Sequence, residues 1–508
     1  MISKKNAIIN ILFRSSNIIY LVALGILLVP MYLKYIPVQL YGYWLASGNI
    51  ISWLGDLSSV SAVMQQRIGV SFGAGDYKKI GHYIGTSILI SLLLLIVLLL
   101  LLTLFYHYVF DWLGVDNIEY RQKLEYSLIY AGIGLLLTLF SFGFSGINYG
   151  LQLFKQVGLL SMGTNLSCIA VTYLLLPGYS VMAFGLALLV RGCLDVTGNM
   201  IILWNFLRNT GVNIKFSKST TRSLLGDVFF NFFSRIGSLL SKNSQLFFIA
   251  RYITPESAVV FKFTKTIPEI SRYFITVPAE AMMPVLSKYL GQNPPLTQVR
   301  TTISKMIYLS IWAAGLVFIG FALLNKAFIN LWVGEAFYAG DGTNTIIILW
   351  VVVSLITTNL MYTVFALGDL RKNNLVLFIQ SIIFIVLMLV LLKPFGIIGI
   401  ALALLFSEAC ISLVYYPWSL QRYLHFDKTQ ISHFFKEVLN VLMVVLIMYL
   451  ITYKINLLAK SWYGLIGYIV MCVIFYLTML YIISGHFKKE INGWLFKWQL
   501  KPRNRNIL

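Results

Sequence analysis

The chain reads as a succession of apolar runs separated by short gaps rich in Lys, Arg, Gly, Pro and Asn. A helix needs about 20 apolar residues to cross the hydrocarbon core of a bilayer. Cutting at the gaps predicts fourteen spans: 8–36, 40–66, 82–108, 122–148, 155–177, 180–206, 222–251, 256–286, 301–329, 343–366, 373–393, 397–420, 433–453 and 462–485. The clearest is 82–108, with the uninterrupted stretch Ser91-Leu92-Leu93-Leu94-Leu95-Ile96-Val97-Leu98, while 222–251 and 256–286 carry many polar residues. The first run has no small-residue cleavage pattern, so it is expected to stay as a span. The fold class expected is an all-α polytopic membrane protein.

Composition agrees with that pattern. Of 508 residues, 59% are hydrophobic and only 11% charged, against about 25% charged in a soluble chain. A net charge of +21 would suggest nucleic acid in a soluble protein. Here the basic residues fill the gaps between runs, so their first meaning is orientation and no nucleic-acid partner is expected. With the N-terminus inside, 25 Lys and Arg fall in the inner gaps and tail and 8 in the outer gaps. That bias places both termini in the cytoplasm, with Trp494 and Trp498 anchoring the last segment at the inner interface. Cys168, Cys193, Cys410 and Cys472 lie in apolar runs and read as packing residues. His82, His107, His425, His433 and His486 are scattered, so neither a metal site nor a cofactor is expected.

The runs repeat. Pro37 and Pro255 lie 218 residues apart, as do Gly73 and Gly291. Trp112-Leu113-Gly114 returns as Trp332-Val333-Gly334, Pro177 as Pro394, and Leu186-Ala187-Leu188-Leu189 as Leu402-Ala403-Leu404-Leu405. The near-constant offset covers six spans, and an even number preserves orientation. The expected organisation is two parallel six-helix lobes, 1–215 and 216–425, around a central cavity, with two additional transmembrane helices and a basic tail in 426–508. Such repeats place a substrate site at the interface of the halves.

Ionisable groups at membrane depth are costly and mark functional positions. In the eighth span Lys262, Lys265, Glu269, Arg272 and Glu280 share an arc of roughly 80°. The seventh aligns Asp227, Asn231, Arg235, Ser238, Lys242 and Gln245; the second aligns Asn49, Ser52, Asp56 and Ser59; the first aligns Asn10, Arg14 and Asn17. The charges on these stripes sum to +2, which favours an anionic ligand because Arg and Lys grip phosphate oxygens. Arg191 and Asp195, at i, i+4 in the sixth span, read as a structural ion pair. Glu408 reads as a carboxylate bonding a neighbouring helix. Pro268, Pro278 and Pro284 would kink the eighth span.

Tyr41-Gly42-Tyr43-Trp44, Asp56, Gln66-Arg67, the loop Gly73-Ala74-Gly75-Asp76-Tyr77 and Trp332-Val333-Gly334-Glu335, with the span count and repeat, resemble the polysaccharide transporter family. These are the Wzx-type flippases of O-antigen and other lipid-linked oligosaccharides, in the superfamily that includes multidrug and toxin extruders and lipid II flippases. The resemblance implies a bacterial inner-membrane flippase, not an enzyme, moving repeat units on undecaprenyl diphosphate from the inner to the outer leaflet by alternating access. It implies a cationic cavity lined by spans one, two, seven and eight. Arg14, Arg235, Lys242, Lys265 and Arg272 are then the substrate-binding candidates, and Asp56 and Glu269 the candidates for gating or ion coupling. Tyr273, Phe274 and Trp53 could stack on sugar rings. Partners implied are the lipid-linked oligosaccharide, membrane lipids, and polymerase and chain-length proteins of the pathway. The alternative is a cation-coupled multidrug antiporter, opposed by the positive stripe charge. A membrane polysaccharide polymerase is less favoured, because no paired-Asp motif, Gly-x-Ser-x-Gly elbow or Gly-rich phosphate loop is present.

Overall fold

The computed structural model describes residues 20, 22–56, 60–218, 220–222, 224–225, 244–290, 294–367, 370–452 and 461–499. In a bilayer core, backbone N–H and C=O groups have no water to bond, so helices are the spanning structures open to a chain that forms no barrel, and the elements among the described residues are helical. A π-turn, Ala23–Leu27, precedes α1 (Val29–Tyr35). There follow α2 (Val38–Asp56), α3 (Val60–Gly73), α4 (Tyr77–Leu113), α5 (Ile118–Gly150), α6 (Phe154–Tyr179) and α7 (Met182–Thr210). Further along come α8 (Pro255–Leu290), α9 (Leu296–Trp332), α10 (Asp341–Ala366), α11 (Leu370–Phe395), α12 (Ile397–Ser407), α13 (Leu413–Leu424), α14 (Lys428–Thr452), α15 (Trp462–Ile483) and α16 (Gly485–Gln499).

Ten helical segments among the described residues are long and apolar enough to cross a membrane, and each falls on a run predicted from the sequence. The remaining four runs are the polar-striped ones. Of these, 256–286 is the single helix α8, continuous through Pro268, Pro278 and Pro284. The run 40–66 is shared between α2 and α3. Most of 222–251, and 8–36 before residue 20, lie outside the described residues.

The chain divides into two compact units, Met1–Val259 and Val260–Leu508. In the first, α5 packs against α7, α3 and α4. The α5–α7 contact is a backbone one: a Cβ on Gly192 would sit 2.2 Å from the Gly134 carbonyl oxygen. Small residues let membrane helices approach this closely and polar side chains then bond across. Asn148 Nδ2 donates to Asn199 Oδ1 at 3.2 Å, and Asn199 Nδ2 to Ser141 Oγ at 3.1 Å. Arg191 and Asp195 are 3.7 Å apart on α7, and Arg191 Nη1 also donates to the Tyr20 hydroxyl at 3.2 Å.

In the second unit α9 is the common partner of α10, α14 and α15. Trp312 Nε1 on α9 donates to the buried Glu437 on α14 at 2.6 Å. The Ser484 hydroxyl beyond α15 donates to the same carboxylate, and the Tyr476 hydroxyl donates to the Trp312 carbonyl at 2.7 Å. Ile319, Val444, Met448, Leu465 and Leu480 fill the space between these helices.

Some positions paired in the sequence have similar backbone geometry. Gly114 (φ 68°) and Gly334 (φ 103°), matched in the two halves of the sequence, both turn the chain at the end of a long helix. Pro177 and Pro394 are each followed by the same reversal, at Ser180 (φ 51°, ψ −133°) and Gly396 (φ 58°, ψ −133°).

Candidate functional site

The polar face predicted on the eighth span is built on α8, against α10 of the same unit. Lys265 and Arg272 are two turns apart and therefore on one face; both are buried. The Trp350 ring of α10 meets both cations: Lys265 Nζ is 5.3 Å from its centroid and Arg272 Cζ 5.5 Å. An i, i+7 separation on a helix is about 10.5 Å, so an aromatic ring reached by both from about half that distance lies between them. Glu269, one turn from each, pairs with Lys265 Nζ at 3.6 Å and Arg272 Nη2 at 3.9 Å. Arg272 Nη1 donates to Ser354 Oγ at 2.8 Å, and its guanidinium also lies 5.0 Å from the Tyr273 ring centroid.

Two cations and one carboxylate leave this cluster with a formal charge of +1. Burial costs several kcal/mol per ion unless the charge is compensated, and desolvated cation–π contacts return about 2 kcal/mol each. Two buried donors, Arg272 Nε and Trp350 Nε1, have no hydrogen-bond partner among the described residues, each left so at a cost of about 1–3 kcal/mol. Excess positive charge beside unused donors is the chemistry of a site that receives an oxyanion.

A second feature fixes α8 at this depth. Pro268 has no N–H to offer the Thr264 carbonyl four residues earlier. Asn325 Nδ2 on α9 takes that place, donating at 2.9 Å to Thr264 O and at 2.7 Å to Asn344 Oδ1 on α10. The Ala339 N–H of the loop before α10 donates to Thr264 Oγ1 at 3.0 Å. In the same loop, burial and the Asp341 carboxylate push the Tyr338 phenol above its ordinary range.

Of the residues singled out in the sequence, Lys265, Glu269 and Arg272 are brought together. Arg14, Arg235 and Lys242 lie outside the described residues, as do the side chains of Asp56, which ends α2, of Trp53 and of Glu280. Tyr273 and Phe274 are exposed. The sequence did not signal Trp350 or Ser354, because both sit in an apolar run with no periodic polar stripe and meet α8 across about 80 residues of chain. Among the described residues no group of three or more His, Cys, Asp or Glu could hold a metal ion.

Comparison with known proteins places the fold in its class. The chain is similar in structure to the lipid II flippase MurJ in an inward closed conformation, with TM-score 0.69 and 16% identity over 96% of this chain and 100% of that one. It is also similar to an inward-facing multidrug resistance MATE family transporter of the MOP superfamily, with TM-score 0.61 and 16% identity over 81% of this chain and 94% of that one. A third likeness is to a MOP superfamily transporter from Pyrococcus furiosus described as having a binding pocket of reversed polarity, with TM-score 0.57 and 14% identity over 82% and 92%. No curated protein matches at the level of sequence. The chain thus has the two-lobe transporter fold and is a multi-pass membrane protein. Residues 71–290 match the family model described as polysaccharide biosynthesis protein. The resemblance read from the sequence, to a family of polysaccharide biosynthesis with this fold, is borne out by that match together with the fold.

Proposed function

We propose that the protein is a flippase that carries undecaprenyl-diphosphate-linked oligosaccharide repeat units, of O-antigen or a similar surface polysaccharide, from the inner to the outer leaflet by alternating access. The observation that supports this reading best is the buried Lys265–Glu269–Arg272 cluster around Trp350, of formal charge +1, in which two donors have no partner among the described residues. A diphosphate supplies both the negative charge and the acceptors that such a cluster lacks. The polysaccharide biosynthesis match over 71–290 and the likeness to a lipid II flippase support the same substrate class.

In this reading Lys265 and Arg272, with Arg14, Arg235 and Lys242, bind the anionic head group. Asp56 and Glu269 act in gating or ion coupling; Glu269, paired with both Lys265 and Arg272, releases either cation as the head group arrives. The repeat halves 1–215 and 216–425 move against each other, and 426–508 is an added helical pair with a basic tail. The protein acts in a bacterial inner membrane with both termini in the cytoplasm, without enzymatic chemistry, beside a polymerase and chain-length proteins.

The likeness to MATE transporters favours a second reading, a multidrug antiporter. A site of net positive charge repels the cationic drugs such a transporter would export, which ranks it lower. The test is made on a strain lacking the gene, by releasing diphosphate-linked glycans from membrane lipids with mild acid and weighing them. Accumulated single repeat units, protected from external glycosidase and cleared by the wild-type gene but not by Arg272→Ala, are expected. An unchanged glycan pool with altered sensitivity to cationic drugs would refute the flippase reading.

A further inference from the structure

We infer that the segment after α7, residues 211–222, forms with the start of α4 a binding surface for an anionic phospholipid of the surrounding membrane. The inference goes beyond the flippase reading and does not depend on it.

The segment is seated by its backbone. Gly211 closes α7 with a φ of 66°, and residues 212–217 are non-helical. They cross α4 where Gly81 and Gly85, one turn apart, leave the helix backbone bare. The Lys215 N–H donates to the Gly81 carbonyl at 3.3 Å. A Cβ on Gly81 would collide with the Asn213 carbonyl oxygen, and one on Gly85 would press on the Lys215 carbonyl oxygen. Further along, the Thr221 and Thr86 hydroxyls are 3.3 Å apart. Hydrocarbon cannot satisfy the N–H and C=O groups of a non-helical stretch, so the segment lies at head-group level, where α7 ends and α4 begins.

That seating gathers positive charge from three stretches of chain. Lys78 shares the α4 face of Gly81 and Gly85, at i, i+3 and i+7. Arg208 stands in the last turn of α7, and the segment itself brings Lys215, Lys218 and Arg222. All five are exposed. Between Val196 and Gly226 the sequence has no Asp or Glu. Asp76, which caps α4, pairs with Lys79 at 3.1 Å, and no salt bridge joins the five cations to a carboxylate among the described residues.

Basic residues at a membrane surface can orient a chain without holding any ligand. What sets this place apart is the apolar half of the same surface. In an extended stretch alternate residues fall on one side. Here Val212, Ile214 and Phe216 alternate with the polar Asn213 and Lys215. Val212 packs against the buried cluster that includes Ile80 and Ile84, whereas Ile214 and Phe216 stay exposed. Trp204, one turn before Arg208 on the same face of α7, is 68% exposed. A phospholipid matches both halves. Its phosphate accepts charge-assisted hydrogen bonds from Lys and Arg, and its acyl chains cover Phe216 and Trp204. A small soluble anion would match only the first. A head group held between Lys78 or Arg208 and Lys215 ties the segment to the two helices it lies on.

The test uses the full chain in phosphatidylcholine nanodiscs carrying a small fraction of brominated phosphatidylglycerol, with brominated phosphatidylcholine at the same fraction as the reference. Bromine quenches nearby indoles, and the Trp204 signal is isolated as the difference between the wild-type chain and Trp204→Phe. Stronger quenching by phosphatidylglycerol is expected, which gives its preference over phosphatidylcholine. A cation near a charged membrane surface is worth about fivefold, so Lys215→Gln with Lys218→Gln should lower that preference about tenfold or more. Lys215→Arg with Lys218→Arg should keep it, as should Lys489→Gln, which removes an exposed cation of α16. Equal quenching by the two lipids, or an equal loss in Lys489→Gln, overturns the inference. Displacement of the lipid by inorganic phosphate at constant ionic strength would assign the cations to a free anion and overturn it as well.

Discussion

Asn325 is predicted to stabilise the protein mainly because Pro268 is where it is. The perturbation is Asn325→Leu, which keeps the side-chain volume and removes both donors. Thr264, Asn325 and Asn344 are at most 3% exposed, so no solvent replaces what is lost. The Thr264 carbonyl is orphaned outright, since residue 268 has no N–H, and Asn344 Oδ1 loses its donor. An orphaned buried acceptor costs about 1–3 kcal/mol, and interhelical hydrogen bonds in membrane proteins measure about 0.6 and at most about 1.7 kcal/mol. Two acceptors, offset in part by the added apolar side chain, give a loss of about 1–3 kcal/mol. In a Pro268→Ala background the new Ala N–H reaches the Thr264 carbonyl, and the same Asn325→Leu change should cost about 1 kcal/mol less. Unfolding of the four chains of this cycle in mixed micelles of rising SDS fraction measures the coupling. Additivity to within about 0.3 kcal/mol, the behaviour of independent sites, would refute the claim that the side chain replaces the missing backbone donor.

Two further outcomes are expected. Ser180 holds a left-handed conformation that its repeat counterpart Gly396 adopts freely; such strain costs about 1–3 kcal/mol, so Ser180→Gly should raise stability by about 1 kcal/mol in the same assay, and a decrease would show the residue is unstrained. Asp76 caps α4 by accepting from the Lys79 N–H at 3.0 Å; that bond first, and the Lys79 side chain second, hold its carboxyl below the usual carboxylate range. Because the folded-state pKa is depressed, the cap's contribution is complete at neutral pH. It fades as pH drops beneath the unfolded value of about 3.9 and through the lower folded one. Amide exchange in the first turn of α4 should accelerate over that acid range in the wild type and not in Asp76→Asn, which keeps an acceptor but cannot titrate.

The sequence was most informative where the bilayer leaves the chain least choice. Apolar runs longer than the membrane is thick located the ten long helices, and the backbone reversals after Pro177 and Pro394 echo a repeat already visible as an offset of 217 residues. Charge periodicity placed Lys265, Glu269 and Arg272 on one face of α8. It could not supply what that face meets, since Trp350 and Ser354 belong to an apolar run whose partners are set by tertiary packing. Nor could it distinguish Glu408 as a simple interhelical contact from Glu408 within a π-turn, Glu408–Ser412, because the inserted residue leaves no mark in composition.

The bonds from Glu437 to Trp312 and Ser484 bear on how far the protein can be shortened. Removing everything after residue 425 would leave the Trp312 indole N–H facing acyl chains, with no acceptor in reach. It would also open the notch at Gly315, which a Cβ would fill against Val441 and Tyr476 at 2.3–2.4 Å. Lipid tails cannot accept a hydrogen bond and fit such a notch poorly. The final helical pair therefore serves α9 as its lipid-facing coat, and any shortened form meant to keep α9 in place must keep that coat through Ser484.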